Sequence, residues 1–286
     1  IARLCEMARP NIAILLNVAS AHIANFGSLD AISNTKGALL DDLPADGLAV
    51  INADDPRVAD WQVRARPTRC LTFGVNCKAD YQAIDLQLKG FSGSNFVLQT
   101  PEQAVEVTLN VSGRQGIYNA LAAAAVADAL GISAITIREG LAAVKPAPGR
   151  GGVAVLSPDA SLIDDTYNAN PVAVRAAIDV LASESGRRRL VLGAMLELGP
   201  DEEKLHAELG AYAREAGLDE LWAVGSEAAP AAVAFGEGAL CFTDTSELIT
   251  YAPTLRGANT TLVKASRGAQ LEVVVNHWLA GGEGIC

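Results

Sequence analysis

The densest polar cluster at a strand end in the second half of this sequence is DDTYNANP, residues 164–171. Two carboxylates (Asp164, Asp165), a phenol (Tyr167) and two amides (Asn168, Asn170) follow a strand-like apolar run and precede a helical one. Asn170 is placed to cap that helix, with Pro171 at its first turn. A helix start offers unpaired backbone N–H groups and the positive end of a dipole, which suits the carboxylate or phosphate of a ligand. A plain cap with solvated carboxylates is the blander reading, but so many polar groups exceed what a cap needs. In LVKASRG (262–268), Lys264, Ser266 and Arg267 set a cation, a hydroxyl and a guanidinium beside another helix start, a combination suited to an anion. LGAMLELG (192–199) follows a third apolar run.

The first half offers sparser chemistry. Asn17, Ser20 and His22 follow an apolar run; a neutral imidazole there binds a metal or stacks on a ligand, or is satisfied by loop backbone. Lys36 shares a helical stripe with Ile32, Leu39, Leu40 and Leu43. Either its long stem snorkels to the helix edge, or its ammonium sits where charge is disfavoured. A lysine held near neutrality is nucleophilic enough to react with carbon dioxide. Asn52, Asp54 and Asp55 either grip a ribose or base, or form an ordinary turn with Pro56. No GxxxxGK[ST] phosphate loop occurs in the sequence.

These groups fall just after apolar runs, where ligands bind in open α/β sheets. Residues 11–17 and 47–52 read as strands buried on both faces, with a helix from Ser28 to about Leu43 between them. Residues 69–74 form another strand. Residues 79–111 alternate and turn at Gly90, Gly93 and Pro101, predicting antiparallel strands. Helices follow at 117–130, closed by Gly131, and at 134–144. KPAPGRGG, residues 145–152, is the best domain boundary. Beyond it the pattern predicts strands at 152–156, 162–164, 189–193, 220–225, 239–242 and 260–264, with helices between most of them. The apolar stripe Val174, Ala177, Ile178, Leu181 marks one such helix, and Leu205, Leu209, Tyr212, Ala213, Ala216 another. The fold class is α/β, with domains at residues 1–147 and 148–286.

The 286 residues carry a formal net charge of −11 and a pI near 4.8. That argues against a nucleic-acid partner, which needs a concentrated basic face, but not against a local basic pocket. Half the residues are apolar, so disorder is not expected. No apolar run reaches the roughly 18 residues of a membrane span. Five cysteines without a CxxC pair fit a reducing compartment. No signal peptide is evident. The chain opens with Ile1 inside a helical pattern, so an N-terminal part of a longer protein is expected to be missing.

With TKGALLDDLPADGLAVINADDP (35–56), GRQGIYNALAAAAVADALG (113–131), PGR (148–150) and NVASAHIANFGS (17–28), these segments resemble the Mur ligases. DDTYNANP is the most specific piece. It is similar to the branch that adds D-alanyl-D-alanine to UDP-N-acetylmuramoyl-tripeptide (UDP-MurNAc-tripeptide). The general plan is shared with other Mur ligases and folylpolyglutamate synthase. The resemblance implies part of a central ATP-binding domain followed by a Rossmann-like C-terminal domain. It implies a cytoplasmic, monomeric, ATP-dependent amide ligase of peptidoglycan synthesis, using ATP and Mg2+ and passing through an acyl phosphate. Its substrates would be UDP-MurNAc-tripeptide and D-Ala-D-Ala. By the same resemblance His22 is magnesium-linked, with Asn17 beside it, and Lys36 is the lysine whose carbamate binds a second magnesium. Asn52, Asp54 and Asn119 lie at the nucleotide, and Arg150 reaches ATP. Asp165, Asn168, Asn170, Lys264, Ser266 and Arg267 face the dipeptide and phosphate.

Three positions depart from the family pattern. Gln115-Gly116 replaces His-Asn. Ala194 replaces an aspartate in Gly-Asp-Met. Ala265 replaces the glycine of Lys-Gly-Ser and is expected to add a methyl where backbone approaches ligand. The family's phosphate loop is not among these residues, so the chain alone is expected to be inactive. A non-catalytic binding descendant of the fold is the reading from outside the enzymes.

Overall fold

The computed structural model describes residues 1–18 and 27–282 and divides into two compact units. The first comprises residues 1–89 and 93–144; the second holds Gly90–Ser92 and residues 145 onward.

The first unit contains α1 (Ala2–Ala8), β1 (Ile12–Leu15), α2 (Leu29–Asp41), β2 (Leu48–Asn52), α3 (Val58–Arg64), β3 (Arg69–Gly74), β4 (Tyr81–Leu88), β5 (Ser94–Gln99), β6 (Ala104–Leu109), α4 (Gly113–Ala129) and α5 (Ala134–Ala143). Its sheet runs β1-β2-β3-β4-β5-β6, parallel from β1 to β4 and antiparallel from β4 to β6. Every residue of β2 is buried, as a continuous apolar run demands of a strand covered on both faces. One cover joins α2 and α3 through Leu40 and Trp61 against Ala13, Leu15, Ala49 and Ile51. The other lays α4 and α5 on Val50, Phe73 and Leu98 through Ile117, Leu121 and Ile137. Ser28 caps α2, its hydroxyl accepting from the Ala31 N–H at 3.1 Å, as its position predicts. Two elements differ from expectation. Helix α3 leaves no periodic signal in the sequence, because its seven residues offer one deep apolar anchor, Trp61, and no stripe. Helix α4 starts at Gly113, a turn before the first strongly apolar residue.

The second unit contains β7 (Gly152–Ser157), β8 (Ala160–Asp165), α6 (Pro171–Ala182), β9 (Arg188–Leu192), α7 (Glu202–Glu215), β10 (Glu220–Val224), α8 (Ala229–Phe235), β11 (Ala239–Phe242), α9 (Thr245–Tyr251), β12 (Thr260–Lys264) and α10 (Glu272–Gly282). The sheet order is β11-β10-β9-β12-β8-β7, parallel except for β7. Helices α6, α7 and α8 bury Val174, Ile178, Leu181, Leu209 and Phe235 on one face, while α9 and α10 bury Leu248, Val274 and Trp278 on the other. Because β12 returns between β9 and β8, the carboxyl ends of β8, β12 and β9 are neighbours. These are the ends from which the three polar segments of the second half emerge. No helix among the described residues is long and apolar enough to cross a membrane.

Candidate functional site

At the carboxyl edge of the second sheet, β12 delivers Lys264, which is 3 % exposed. Its ammonium donates to Asp165 Oδ2 at 2.6 Å and to the Asn168 carbonyl at 2.9 Å. Ser266 Oγ donates to the Ala169 carbonyl at 3.2 Å and accepts from the Leu196 N–H at 3.0 Å. The loop after β8 is thereby fastened to the loops after β12 and β9. Asp164 accepts from Gly149 N, Thr166 N and the Thr166 hydroxyl, and Tyr167 N donates to the Gly149 carbonyl. The PGR segment is thus tied to the same edge. Asn170 caps α6, accepting from Ala173 N at 2.9 Å.

The buried Lys264 ammonium and Ser266 hydroxyl are engaged in holding these loops together, since a buried donor or acceptor must find a partner inside the protein, and Asn170 Oδ1 is engaged in the cap. What remains for a ligand is the exposed set. The Arg150 guanidinium lies 4.1 Å from the Tyr167 ring centroid, and that of Arg267 lies 5.4 Å from the same ring. Asn168 is exposed, and Asp165 Oδ1 accepts no bond among the described residues. The arrangement offers two guanidiniums for anionic oxygens and one carboxylate oxygen for an ammonium.

Ala265 departs from expectation. It is fully buried, and its methyl lies 2.8 Å from where a Cβ on Gly193 would stand. The methyl therefore fills core space that Gly193 leaves, rather than facing a ligand. Sequence reasoning missed His206. It is fully buried on α7. Nε2 accepts from the Met195 N–H at 3.0 Å, which leaves the ring proton on Nδ1, 2.8 Å from the Glu202 carbonyl. It holds the backbone after β9. Its spacing from Leu209 and Ala213 was the available signal.

In the first unit, Lys36 is half-buried and donates to the Asn17 carbonyl at 2.9 Å. Burial pulls its pKa below the ordinary lysine value, against the opposing charge of Asp55. Asn52 Nδ2 donates to the Leu16 carbonyl at 2.7 Å, and Asp55 Oδ2 accepts from Val18 N at 2.9 Å. The chain leaving β1 is therefore held by Lys36, Asn52 and Asp55 together. Asp54 is a bracket for the loop after β3. Its carboxylate accepts from Val75 N, Asn76 N, Cys77 N and the Tyr118 hydroxyl at 2.6–2.9 Å. Burial alone would raise its pKa; the donated bonds outweigh burial and bring it down to about 2, while Tyr118 is pushed up to about 12. Asn119, next on α4, is exposed with no partner among the described residues. Arg114 Nη2, one turn earlier, donates to Asn76 Oδ1 at 2.9 Å. Asn119 and the remaining N–H groups of the exposed Arg114 face solvent, and Asp54 fixes the backbone of residues 75–77 and the Tyr118 hydroxyl beside them. His22 lies outside the described residues. Among the described residues no three His, Cys, Asp or Glu side chains gather as a metal-ligand group.

Residues 2–127 match the Mur ligase middle domain and residues 151–267 the Mur ligase, glutamate ligase domain. The UDP-N-acetylmuramoyl-tripeptide–D-alanyl-D-alanine ligase of Escherichia coli K12 is 38% identical over 274 residues, covering 94% of this chain and 60% of that protein. A crystal structure of MurF from Acinetobacter baumannii superposes with a TM-score of 0.85 at 30% identity, over 98% of this chain and 62% of that one. MurF ligase from Thermotoga maritima, crystallised in complex with ADP, gives 0.82 at 28% identity, over all of this chain and 65% of that one. The chain thus spans 60% and 52% of the length of the first two curated relatives it matches. With consecutive Mur ligase domains accounting for both of its compact units, the chain belongs to the Mur ligase family.

Proposed function

We propose that these residues supply the central-domain remainder and C-terminal domain of an ATP-dependent ligase that joins D-Ala-D-Ala to UDP-MurNAc-tripeptide in the cytoplasm. The observation that carries this reading is the strand-end cluster of the second unit: exposed Arg150 and Arg267 on Tyr167, beside a carboxylate that Lys264 holds with one oxygen open. In the proposed reaction a substrate carboxylate oxygen attacks the γ-phosphorus of ATP and ADP leaves. The dipeptide amine then attacks the acyl carbon, a C–N bond forms, the amine loses a proton and phosphate departs. Arg150 and Arg267 would hold anionic oxygens that gain charge as phosphoryl transfer proceeds. The open oxygen of Asp165 would receive the dipeptide ammonium and orient it, and the ammonium gives one proton to solvent before its nitrogen attacks. Lys264, Ser266 and His206 are positioning residues that fix three adjacent loops. Asn119 and Arg114 would meet the nucleotide in the first unit.

The magnesium expectation gains no ligand set from the described residues, so no step is routed through the metal. Lys36 suits carbamylation chemically. A neutral Nζ attacks the carbon of carbon dioxide, an N–C bond forms, one proton leaves, and an anionic oxygen donor results. Intact-protein mass spectrometry in bicarbonate should show one added CO2 that Lys36→Arg abolishes; an unmodified wild-type mass overturns the assignment.

The test of function is phosphate release by the complete enzyme with UDP-MurNAc-tripeptide and ATP, offering D-Ala-D-Ala, single amino acids or glutamate as amine. Turnover with D-Ala-D-Ala alone is expected. Preference for glutamate or a single amino acid would reassign the chain to another ligase branch, and silence with every amine would favour a binding descendant.

A further inference from the structure

The second sheet has a built cavity at its opposite, amino-terminal edge, on the face covered by α9 and α10. It is an open recess of about 670 Å3 where β9, β10 and β11 begin and α9 ends. Its floor is a charged triad. Glu220 accepts from Arg187 Nε at 2.6 Å and from Arg189 Nε at 2.7 Å. Arg189 also donates to the Arg256 carbonyl at 3.0 Å, and its guanidinium carbon stands 3.8 Å from the Trp222 ring centroid. Arg189 and Glu220 are 2 % and 7 % exposed. Tyr251, largely exposed, forms an edge contact with Trp222 at 5.8 Å and lines the cavity wall with Leu240. The exposed Arg256 guanidinium has no acceptor among the described residues.

Two physical points make this more than a surface irregularity. Burying an ion pair is seldom worth more than well-packed apolar groups of the same volume, so the buried Arg189–Glu220 pair, which the exposed Arg187 joins from solvent, is poorly explained by stability. The lining also carries three guanidiniums against one carboxylate, in a chain whose net charge is −11. A positive, aromatic-walled recess in an acidic protein favours one class of guest.

We propose that this cavity binds a small aromatic anion, its ring against Tyr251 and Leu240 and its carboxylate or phosphate on Arg187 and Arg256. Planar guanidiniums match the oxygen spacing of both anions, and the apolar wall supplies the contact area that a bare anion cannot use. The site lies on strand ends opposite those bearing Asp165 and Lys264, so it does not depend on the ligase reading.

The experiment titrates the isotope-labelled 286-residue chain with phenyl phosphate, benzoate, phenol and inorganic phosphate, reading the Trp222 indole and Tyr251 resonances by NMR. Saturable shifts are expected with phenyl phosphate or benzoate, and whichever binds more tightly identifies the anionic group preferred. Phenol and inorganic phosphate should bind at least about tenfold more weakly, since each lacks half of the recognition. Arg256→Ala and Tyr251→Ala, both at exposed positions, should each weaken the better ligand at least about threefold without disturbing resonances elsewhere. No shift with either aromatic anion overturns the proposal. So does phenol or phosphate binding within tenfold of the aromatic anion, or a loss below threefold in either variant.

Discussion

Lys264 and Arg267 belong to one short motif, yet the fold gives them opposite duties. Lys264 is buried against Asp165 and the Asn168 carbonyl; Arg267 stands in solvent over Tyr167. Removing one partner of a buried ion pair strands the other, but Asp165 keeps 22% of its side-chain surface and can recruit water. Lys264→Met should therefore cost about 2 kcal/mol, below the roughly 3–5 kcal/mol of a fully buried pair. A urea midpoint equal to wild type would contradict the scaffolding role. Arg267→Ala should change stability by no more than about 0.5 kcal/mol. In the complete enzyme it should lower kcat/KM for the dipeptide at least about tenfold. Asp54 permits a pH test. Its folded pKa lies near 2, below the ordinary 3.8, so its contribution is present above the ordinary value and lost as pH falls through about 2. Discounted for its solvent contact, that contribution is on the order of 1 kcal/mol. Asp54→Asn should flatten the fall in unfolding free energy across that acid window, and an unchanged acid slope would remove Asp54 as its source. The sequence identified these side chains but not their partners. The bonds from Lys264 to Asp165 and from Tyr118 to Asp54 join residues brought together by strand order, which periodicity does not encode. Asn170 was legible because its partner, Ala173, is local.

The strands of the two sheets, among the described residues, illustrate which elements local pattern can reveal. β2 and β9 read as apolar runs because both faces are covered, and β4 to β6 read as alternation because their packing is one-sided. α6 was visible through its cap and stripe together. α3 was not, because a short helix anchored by Trp61 has too few turns to show a period. The α7 stripe of Leu205, Leu209, Tyr212, Ala213 and Ala216 packs on the core, and the buried side also takes in His206 and Gly210, because α8 packs directly there. Gly210 is the closest point of this pair: an added Cβ would lie 1.9 Å from the Ala231 carbonyl oxygen, a backbone atom that cannot swing aside. Alanine is the better helix former by about 1 kcal/mol, but forcing a packed helix pair apart costs about 1–3 kcal/mol. Gly210→Ala should therefore lower the guanidinium midpoint despite its propensity. A midpoint at or above wild type would show that α7 and α8 can slide apart freely.

At the scale of the whole chain, composition and the repeated strand–helix pattern placed it among two-unit α/β proteins, and each unit has its own apolar core. What composition could not provide is the chemistry of phosphoryl transfer, which depends on a local cradle. Transferring a phosphoryl group requires donors around the β- and γ-oxygens, commonly successive backbone N–H groups with a lysine. These 286 residues contain no GxxxxGK[ST] segment. In the first unit the Lys36 ammonium is committed to the Asn17 carbonyl, and Asp54 adds negative charge at the neighbouring loop. In the proposed ligase the described strand ends would suit a nucleotide's base side better than its phosphates. The chain alone should release phosphate at less than about one thousandth of the rate of a protein in which a Gly-rich, lysine-bearing loop is joined ahead of Ile1. Comparable turnover by the 286 residues alone would mean that another set of donors forms the cradle. Arg114 and Arg150, the exposed guanidiniums assigned to the nucleotide, would then be the first positions to substitute.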